Sequence, residues 1–294
     1  MKVAVVGFGL MGRQIAQVFA QHGNEVTVTD ENEKALDAGL EEIANGPYGI
    51  RKAVAKGKIT DEEGSRAIGA IKTFSSLHET CRNADAVIEA VYENADLKKR
   101  VIALIDSTAP PGAIIASNTS TLGLTKISSE AENKDRVVGM HFFNPAQVTK
   151  LVEIIRSDYT SENTVKEAST IAEKIGKTAI VARDQPGFIA NRLGLTLYIE
   201  ASRLFEEGIA TIRDIDLAMK LGYNHPMGPF ETADLVGLDT RLRNLEALYQ
   251  QTNEERWLPP KILREMVNEG YLGDPARRTG SKGGYYTRFV TDTI

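Results

Sequence analysis

The first thirty residues constrain this chain more than any other stretch. Lys2-Val3-Ala4-Val5-Val6 is a short apolar run that breaks abruptly into Gly7-Phe8-Gly9-Leu10-Met11-Gly12. Arg13 to His22 then carries Ile15, Val18 and Phe19 at helical spacing, so the order is strand, glycine turn, helix. In a dinucleotide-binding unit the glycines do different work. Gly7 permits the sharp turn, Gly9 lets backbone approach a pyrophosphate, and Gly12 lets the helix pack close to the strand. The first helical N–H groups point at the phosphates with the helix dipole in their favour. Gly7, Gly9, Leu10, Met11 and Gly12 are therefore the candidate pyrophosphate residues. Gly23-Asn24 ends the helix, Glu25 to Thr29 alternates as a second strand, and Asp30 stands at its carboxyl end. An acid about twenty residues past the glycines suits a ribose with two free hydroxyls and repels a 2′-phosphate, which favours NAD over NADP.

The pattern then repeats. Glu31 to Ala44 predicts a helix, Asn45 to Gly49 interrupts it, and Arg51, Lys52, Lys56 and Lys58 form a short basic helical segment before a capped restart at Ile59 to Glu63. Such a basic stretch is, taken alone, a solvated helix face. Ile71 to Phe74, Ala84 to Val91, Ala113 to Ala116, Arg136 to Met140, Leu151 to Ile155 and Thr178 to Val181 predict further strands, with helices from Glu93 to about Ser107 and from Ser161 to Ile175. Strands alternating with helices indicate an α/β chain with a Rossmann-type, doubly wound, mostly parallel sheet. Ligands bind such a sheet beyond the carboxyl ends of its strands, where Asp30, Glu93 and Ser117 to Ser120 fall.

From Phe188 onward the two-residue period disappears. Amphipathic segments at Phe188 to Glu207, Ile212 to Leu221, Pro229 to Gln251 and Pro260 to Gly270 predict an all-α C-terminal domain. The expected division is 1–184 and 185–294. Ile212, Ile215, Met219, Leu235 and Leu238 need apolar partners, which a homodimer through these helices or a bundle with its own core would supply.

Composition excludes several classes. A formal net charge of −5 argues against a general nucleic-acid binder, and no apolar run is long enough to span a bilayer. A single cysteine, Cys81, permits no intrachain disulfide. With the glycine motif beginning near residue 1, no targeting peptide is expected, and the cytoplasm is the expected compartment.

Of four histidines, His22, His78 and His225 sit at helix ends or beside proline. His141 ends a buried strand on the ligand side of the sheet and is followed by two aromatic residues. Two strands joined by a loop bring residues some twelve apart side by side, so Glu153 can accept the Nδ1 hydrogen of His141, setting its tautomer and stabilising the imidazolium. Such a histidine is a competent general base, although a buried histidine is as often structural. Asn191, one turn into the first C-terminal helix that Pro186-Gly187 would start, adds a neutral polar group. Ser120 adds a hydroxyl, in a Ser-Asn-Thr-Ser run that is also a good turn or helix cap. No metal-ligand spacing is present, and the set points to alcohol oxidation without a metal.

The motifs together resemble the L-3-hydroxyacyl-CoA dehydrogenase family, particularly its 3-hydroxybutyryl-CoA type, almost from end to end. The resemblance rests on Gly7-x-Gly9-x-Met11-Gly12-x-x-Ile15-Ala16, Asp85 to Glu93 with Asn94 and Lys98, Ser117 to Ser120, His141 to Pro145, Leu151-Val152-Glu153, Pro186 to Arg192 and Pro226 to Pro229. It implies NAD-dependent, reversible oxidation of (S)-3-hydroxyacyl-CoA to 3-ketoacyl-CoA, in fatty acid or butanoate metabolism. By the same resemblance His141 is the base and Glu153 its partner, while Ser120 and Asn191 bond the reacting oxygen or the thioester region. Glu93, Lys98, Ser120 and Asn144 line the nicotinamide half of the cofactor, and Asp30 the adenosine ribose. Lys52 and Lys56 fall where the family contacts CoA.

Three departures stand out. Gln14 replaces a further glycine, adding bulk expected near the pyrophosphate. The closing motif is altered, so that Arg278 or Lys282 would make its cofactor contact. His225 stands where an aromatic commonly precedes the proline. On the residues alone, a hydroxy acid or sugar acid without CoA remains a second reading. A dinucleotide-sensing protein without turnover is a third, disfavoured by the full set of His141, Glu153, Ser120 and Asn191.

Overall fold

Alternating apolar strands and amphipathic helices build one eight-stranded sheet in the computed structural model, which describes residues 1–290. The strands are β1 (Lys2–Val6), β2 (Glu25–Thr29), β3 (Ile71–Thr73), β4 (Ala86–Glu89), β5 (Ile114–Ser117), β6 (Val137–Phe142), β7 (Leu151–Arg156) and β8 (Thr178–Arg183). Their spatial order is β3-β2-β1-β4-β5-β6-β7-β8, and every pair is parallel except β6 with β7. The order reverses between β1 and β4, which makes the crevice above those two strands the expected ligand site.

Flanking this sheet are α1 (Leu10–Gln21), α2 (Glu33–Asn45), α3 (Ile50–Ala55), α4 (Asp61–Gly69), α5 (Leu77–Cys81), α6 (Ala95–Thr108), α7 (Leu124–Ile127) and α8 (Glu162–Lys174). Because successive strand residues point to opposite faces, Val3 and Val5 join Ile15, Phe19 and Ile171 in one core, while Ala4 and Val6 join Ile102 and Ile105 in another. Both faces are thus covered, and the central strands are buried almost throughout. The restart expected near residue 60 is a full capping box, with Thr60 accepting from the Glu63 N–H and Glu63 accepting from the Thr60 N–H.

The chain separates into two compact units, Met1–Phe188 and Ile189–Ile294, four residues beyond the expected division at 184. The last four residues of the expected domain 185–294 lie outside the described residues. Unit 2 consists of α9 (Ala190–Glu206), α10 (Ile212–Gly222), α11 (Pro229–Val236), α12 (Leu238–Thr252), α13 (Lys261–Asn268) and α14 (Tyr285–Phe289).

Two expectations need correction. The segment Pro229 to Gln251 is two helices, because Gly237 takes φ +103, outside the helical range, and the chain turns there. Pro186-Gly187 does not start the next helix. Gly187 and Phe188 both have positive φ (77° and 46°), and α9 begins only at Ala190. Of the two ways of covering them, Ile212, Ile215 and Leu238 take the bundle's own core, buried in unit 2 with Phe230, Leu245 and Trp257.

Candidate active site

The turn after β1 has the form its glycines demand. Gly7 adopts φ +94, and a Cβ there would lie 2.7 Å from the backbone of Ala90 and Val91. Helix α1 begins at Leu10, earlier than its apolar spacing suggested, so Gly12 sits inside the first turn, where a Cβ would stand 1.9 Å from the Gly7 carbonyl oxygen. Gly9 is different, because a Cβ there would meet nothing within 4 Å. That open face lies at the N-cap of a helix whose first turn has no side-chain cap, which is what a bound pyrophosphate needs. Asp30, at the end of β2, accepts the Phe8 N–H at 2.7 Å and the Asn32 N–H at 2.9 Å, tying the carboxylate to the glycine turn. These residues fit NAD.

Beyond β4 lies a charged network that includes one residue unnoticed in the sequence, Glu89. It is fully buried, accepts from Lys98 Nζ at 2.7 Å and from Ser117 Oγ at 2.6 Å, and also takes the Val91 N–H. Its signal was a carboxylate inside an otherwise apolar strand, which a parallel sheet tolerates only when the charge is paired. Lys98 is 1% exposed and also reaches the Val91 carbonyl and Glu93 Oε2, at 3.2 and 3.3 Å. Its ammonium is thus committed to protein partners rather than offered as a free cation. Glu93 Oε1 accepts from the Thr119 hydroxyl and from the N–H groups of Ser120 and Thr121. Burial pushes the Glu93 carboxyl up, but the Lys98 charge and these hydrogen bonds outweigh it and leave the pKa lowered. The ionised carboxylate therefore fixes the turn that carries Ser120.

The β6–β7 pairing is the antiparallel one, and its register sets His141 opposite Glu153. His141 Nδ1 lies 2.7 Å from Glu153 Oε2, with His141 5% and Glu153 0% exposed. Phe143 and Phe188 pack against the imidazole, with ring centroids at 4.5 and 5.6 Å. Phe188 is the second residue that sequence reasoning passed over. A bulky side chain at φ +46 is strained, and here that backbone places its ring beside the imidazole. In the tautomer with hydrogen on Nδ1, Nε2 carries the free lone pair and the pair is built to accept a proton there.

Asn144 follows directly, across a cis bond to Pro145. Gln14 does not add bulk toward the pyrophosphate as expected. It is 6% exposed, and its side chain runs to Asn144 and Ala146. Gly7 to Gly12, Asp30, Glu93, Ser120 and Asn144 follow β1, β2, β4, β5 and β6, and His141 lies near the end of β6, so all of them fall at the carboxyl ends of mutually parallel strands. Lys52 and Lys56 are exposed, at α3 and its C-cap. Asn191 lies in unit 2, in the first turn of α9. The expected cofactor role of Arg278 meets a competing one, because its guanidinium pairs with Asp239 and donates to Thr240 within unit 2.

A doubly wound sheet with an open glycine turn, an acid at the end of its second strand and a carboxylate-held imidazole is the arrangement of a nicotinamide-dependent dehydrogenase. The model of the 3-hydroxyacyl-CoA dehydrogenase NAD binding domain matches residues 2–185, and that of the 3-hydroxyacyl-CoA dehydrogenase C-terminal domain matches residues 187–283. The chain belongs to the 3-hydroxyacyl-CoA dehydrogenase family, and its first unit is an NAD-binding domain. It is 41% identical over 277 residues to a probable 3-hydroxybutyryl-CoA dehydrogenase of Bacillus subtilis, covering 94% of this chain and 95% of that relative. A 3-hydroxybutyryl-CoA dehydrogenase of Mycobacterium tuberculosis is 37% identical over 288 residues, covering 97% and 98%. The crystal structure of (S)-3-hydroxybutyryl-CoA dehydrogenase from Ralstonia eutropha superposes with a TM-score of 0.88 at 37% identity, covering 96% of this chain and 99% of that one.

Proposed function

We propose that this protein reversibly oxidises (S)-3-hydroxyacyl-CoA to 3-ketoacyl-CoA, with a preference for the short 3-hydroxybutyryl chain. The observation that carries the mechanism is the buried 2.7 Å contact between His141 and Glu153 on an NAD-binding sheet. When bound, NAD⁺ accepts the hydride leaving C3. His141 Nε2 takes the hydroxyl proton as the C3–O bond becomes a carbonyl, and Glu153 stabilises the imidazolium through Nδ1–H. The proton then passes to solvent. In reverse the imidazolium protonates the developing alkoxide. A paired general base of this kind contributes typically about 10²- to 10⁴-fold.

Ser120, held by Glu93, and Asn191 donate to the reacting oxygen or the thioester carbonyl. Glu93 and Asn144 border the nicotinamide half of the cofactor, and Lys98, paired with Glu93, holds that carboxylate in place. Lys52 and Lys56, exposed and four residues apart, meet the CoA phosphates. A homodimer through the C-terminal helices is supported by exposed Leu217, Leu221 and Tyr223, although Ile212 and Ile215 of α10 serve its own core. A cytoplasmic setting is consistent with the single buried Cys81 and with the finding that, among the described residues, no helix is long and apolar enough to cross a membrane.

The test is NADH and NADPH oxidation with acetoacetyl-CoA and with a longer 3-ketoacyl-CoA, comparing the native protein with His141→Ala. Turnover with NADH that the variant loses is the expected result. Equal oxidation of free 3-hydroxybutyrate and its CoA thioester would refute the CoA assignment. A monomer by light scattering at micromolar concentration would refute the dimer.

A further inference from the structure

Gln14 departs from the family pattern and sits in a chain of hydrogen bonds whose polarity can be read without ambiguity. The Ala146 N–H is a backbone group and can only donate, and its acceptor is Gln14 Oε1 at 2.7 Å. Gln14 must therefore turn its Nε2 the other way, where it donates to Asn144 Oδ1 at 2.9 Å. With Oδ1 engaged, the end of Asn144 left for a ligand is its NH₂. A single backbone N–H thus dictates which atom of Asn144 faces outward.

We infer that Gln14 is a positioning residue that presents the Asn144 amide as a hydrogen-bond donor to an acceptor oxygen of the bound dinucleotide. The inference rests on the proposed reading that Asn144 borders the cofactor. The surroundings are built to hold the relay. Gln14 is 6% exposed and Ala146 1%. Ala146 is held through both of its backbone groups, since its carbonyl accepts from Lys177 Nζ, which also donates to the Thr149 carbonyl at 2.8 Å. One turn along the same face of α1, Gln17 makes a second relay. Its Nε2 donates to the Tyr48 carbonyl at 2.7 Å, which leaves its Oε1 to accept from Gln147 Nε2 at 2.8 Å. The helix that offers its N-terminus to the pyrophosphate therefore also orients the loop after His141. A glycine at position 14 would leave the Asn144 amide free to turn either way.

The test inverts the relay. A carboxylate at position 14 can still accept from Ala146 but cannot donate, so in Gln14→Glu the Asn144 amide must turn its NH₂ inward and present Oδ1 to the ligand. NADH affinity is measured by fluorescence titration for Gln14→Glu in the native background and in Asn144→Ala. The double-mutant cycle removes any direct effect of the new charge on the phosphates. Losing a donor and facing two acceptors should weaken NADH binding by roughly tenfold or more in the native background, and by less than about threefold with Asn144→Ala. Equal fold-losses in both backgrounds would overturn the relay, as would an Asn144→Ala protein that binds NADH like the native one. Gln14→Met, which keeps the volume without inverting polarity, covers misfolding of the glutamate variant. It should cost only a few-fold, and again only when Asn144 is present. Because the readout is NADH binding, failure to turn over acyl-CoA would count against the proposed substrate and leave this result standing.

Discussion

Replacing Glu153 by glutamine tests the chemistry most directly. Glu153 is fully buried and its Oε2 lies 2.7 Å from His141 Nδ1, so the exchange removes one charge and changes little volume. A hydrogen bond to a charged group is worth roughly 1.5–3 kcal/mol net. The Glu153 contact becomes an ion pair only when Nε2 holds the proton taken from substrate, so this energy falls mainly on the transition state. Its loss corresponds to about a 10- to 150-fold fall in kcat. The fall is larger if the new amide donates to Nδ1, because that places the remaining hydrogen on Nε2 and removes the base. NAD⁺ reduction is followed at saturating 3-hydroxybutyryl-CoA across the neutral range, and NADH affinity is measured separately. The expected outcome is depressed kcat with NADH affinity within about twofold, since independent sites act additively. A kcat within about twofold of native at every pH would refute the paired-base argument.

Three further outcomes follow from the geometry. Gly9→Ala should melt like the native protein, because its Cβ meets nothing within 4 Å, yet bind NADH at least about tenfold more weakly. Gly12→Ala should fail to fold well, because its Cβ would lie 1.9 Å from the Gly7 oxygen, and thermal melts of the two variants separate the cases. Asp30→Asn keeps an acceptor for the Phe8 N–H but loses the charge, so the preference for NADH over NADPH in paired kinetic assays should shrink by about tenfold or more. In unit 2, burial lifts the Asp234 carboxyl from 3.8 to about 6, against the opposing hydrogen bonds from the Tyr285 and Tyr286 N–H groups. The folded state then binds the proton more tightly than the unfolded chain, so stability should fall as pH rises from 3.8 to about 6, by up to ~3 kcal/mol. Asp234→Asn should flatten that slope in urea titrations at several pH values.

Much of the frame was legible because its signals are local. The strand at Lys2–Val6, the glycine spacing, the second strand at Glu25–Thr29 and the Thr60 capping box all follow from residues within a turn or two of one another. The misreadings have equally specific causes. One positive φ at Gly237 divides an apolar pattern that would otherwise suit one long helix. Pro186-Gly187 has the composition of a helix start, but Gly187 and Phe188 both take positive φ and α9 begins only at Ala190.

What the sequence by itself determined is the class of fold and the dinucleotide motif, with a short set of candidate reactive groups, because periodicity and glycine placement act along the chain. Only the tertiary structure decided which groups meet. The antiparallel register joins His141 to Glu153, and Gln14 reaches Asn144 across 130 residues of chain. The spacing of His141 and Glu153 allowed their pairing without fixing it, whereas a contact such as that of Gln14 with Asn144 depends on packing between distant segments, for which a linear pattern carries no local signal.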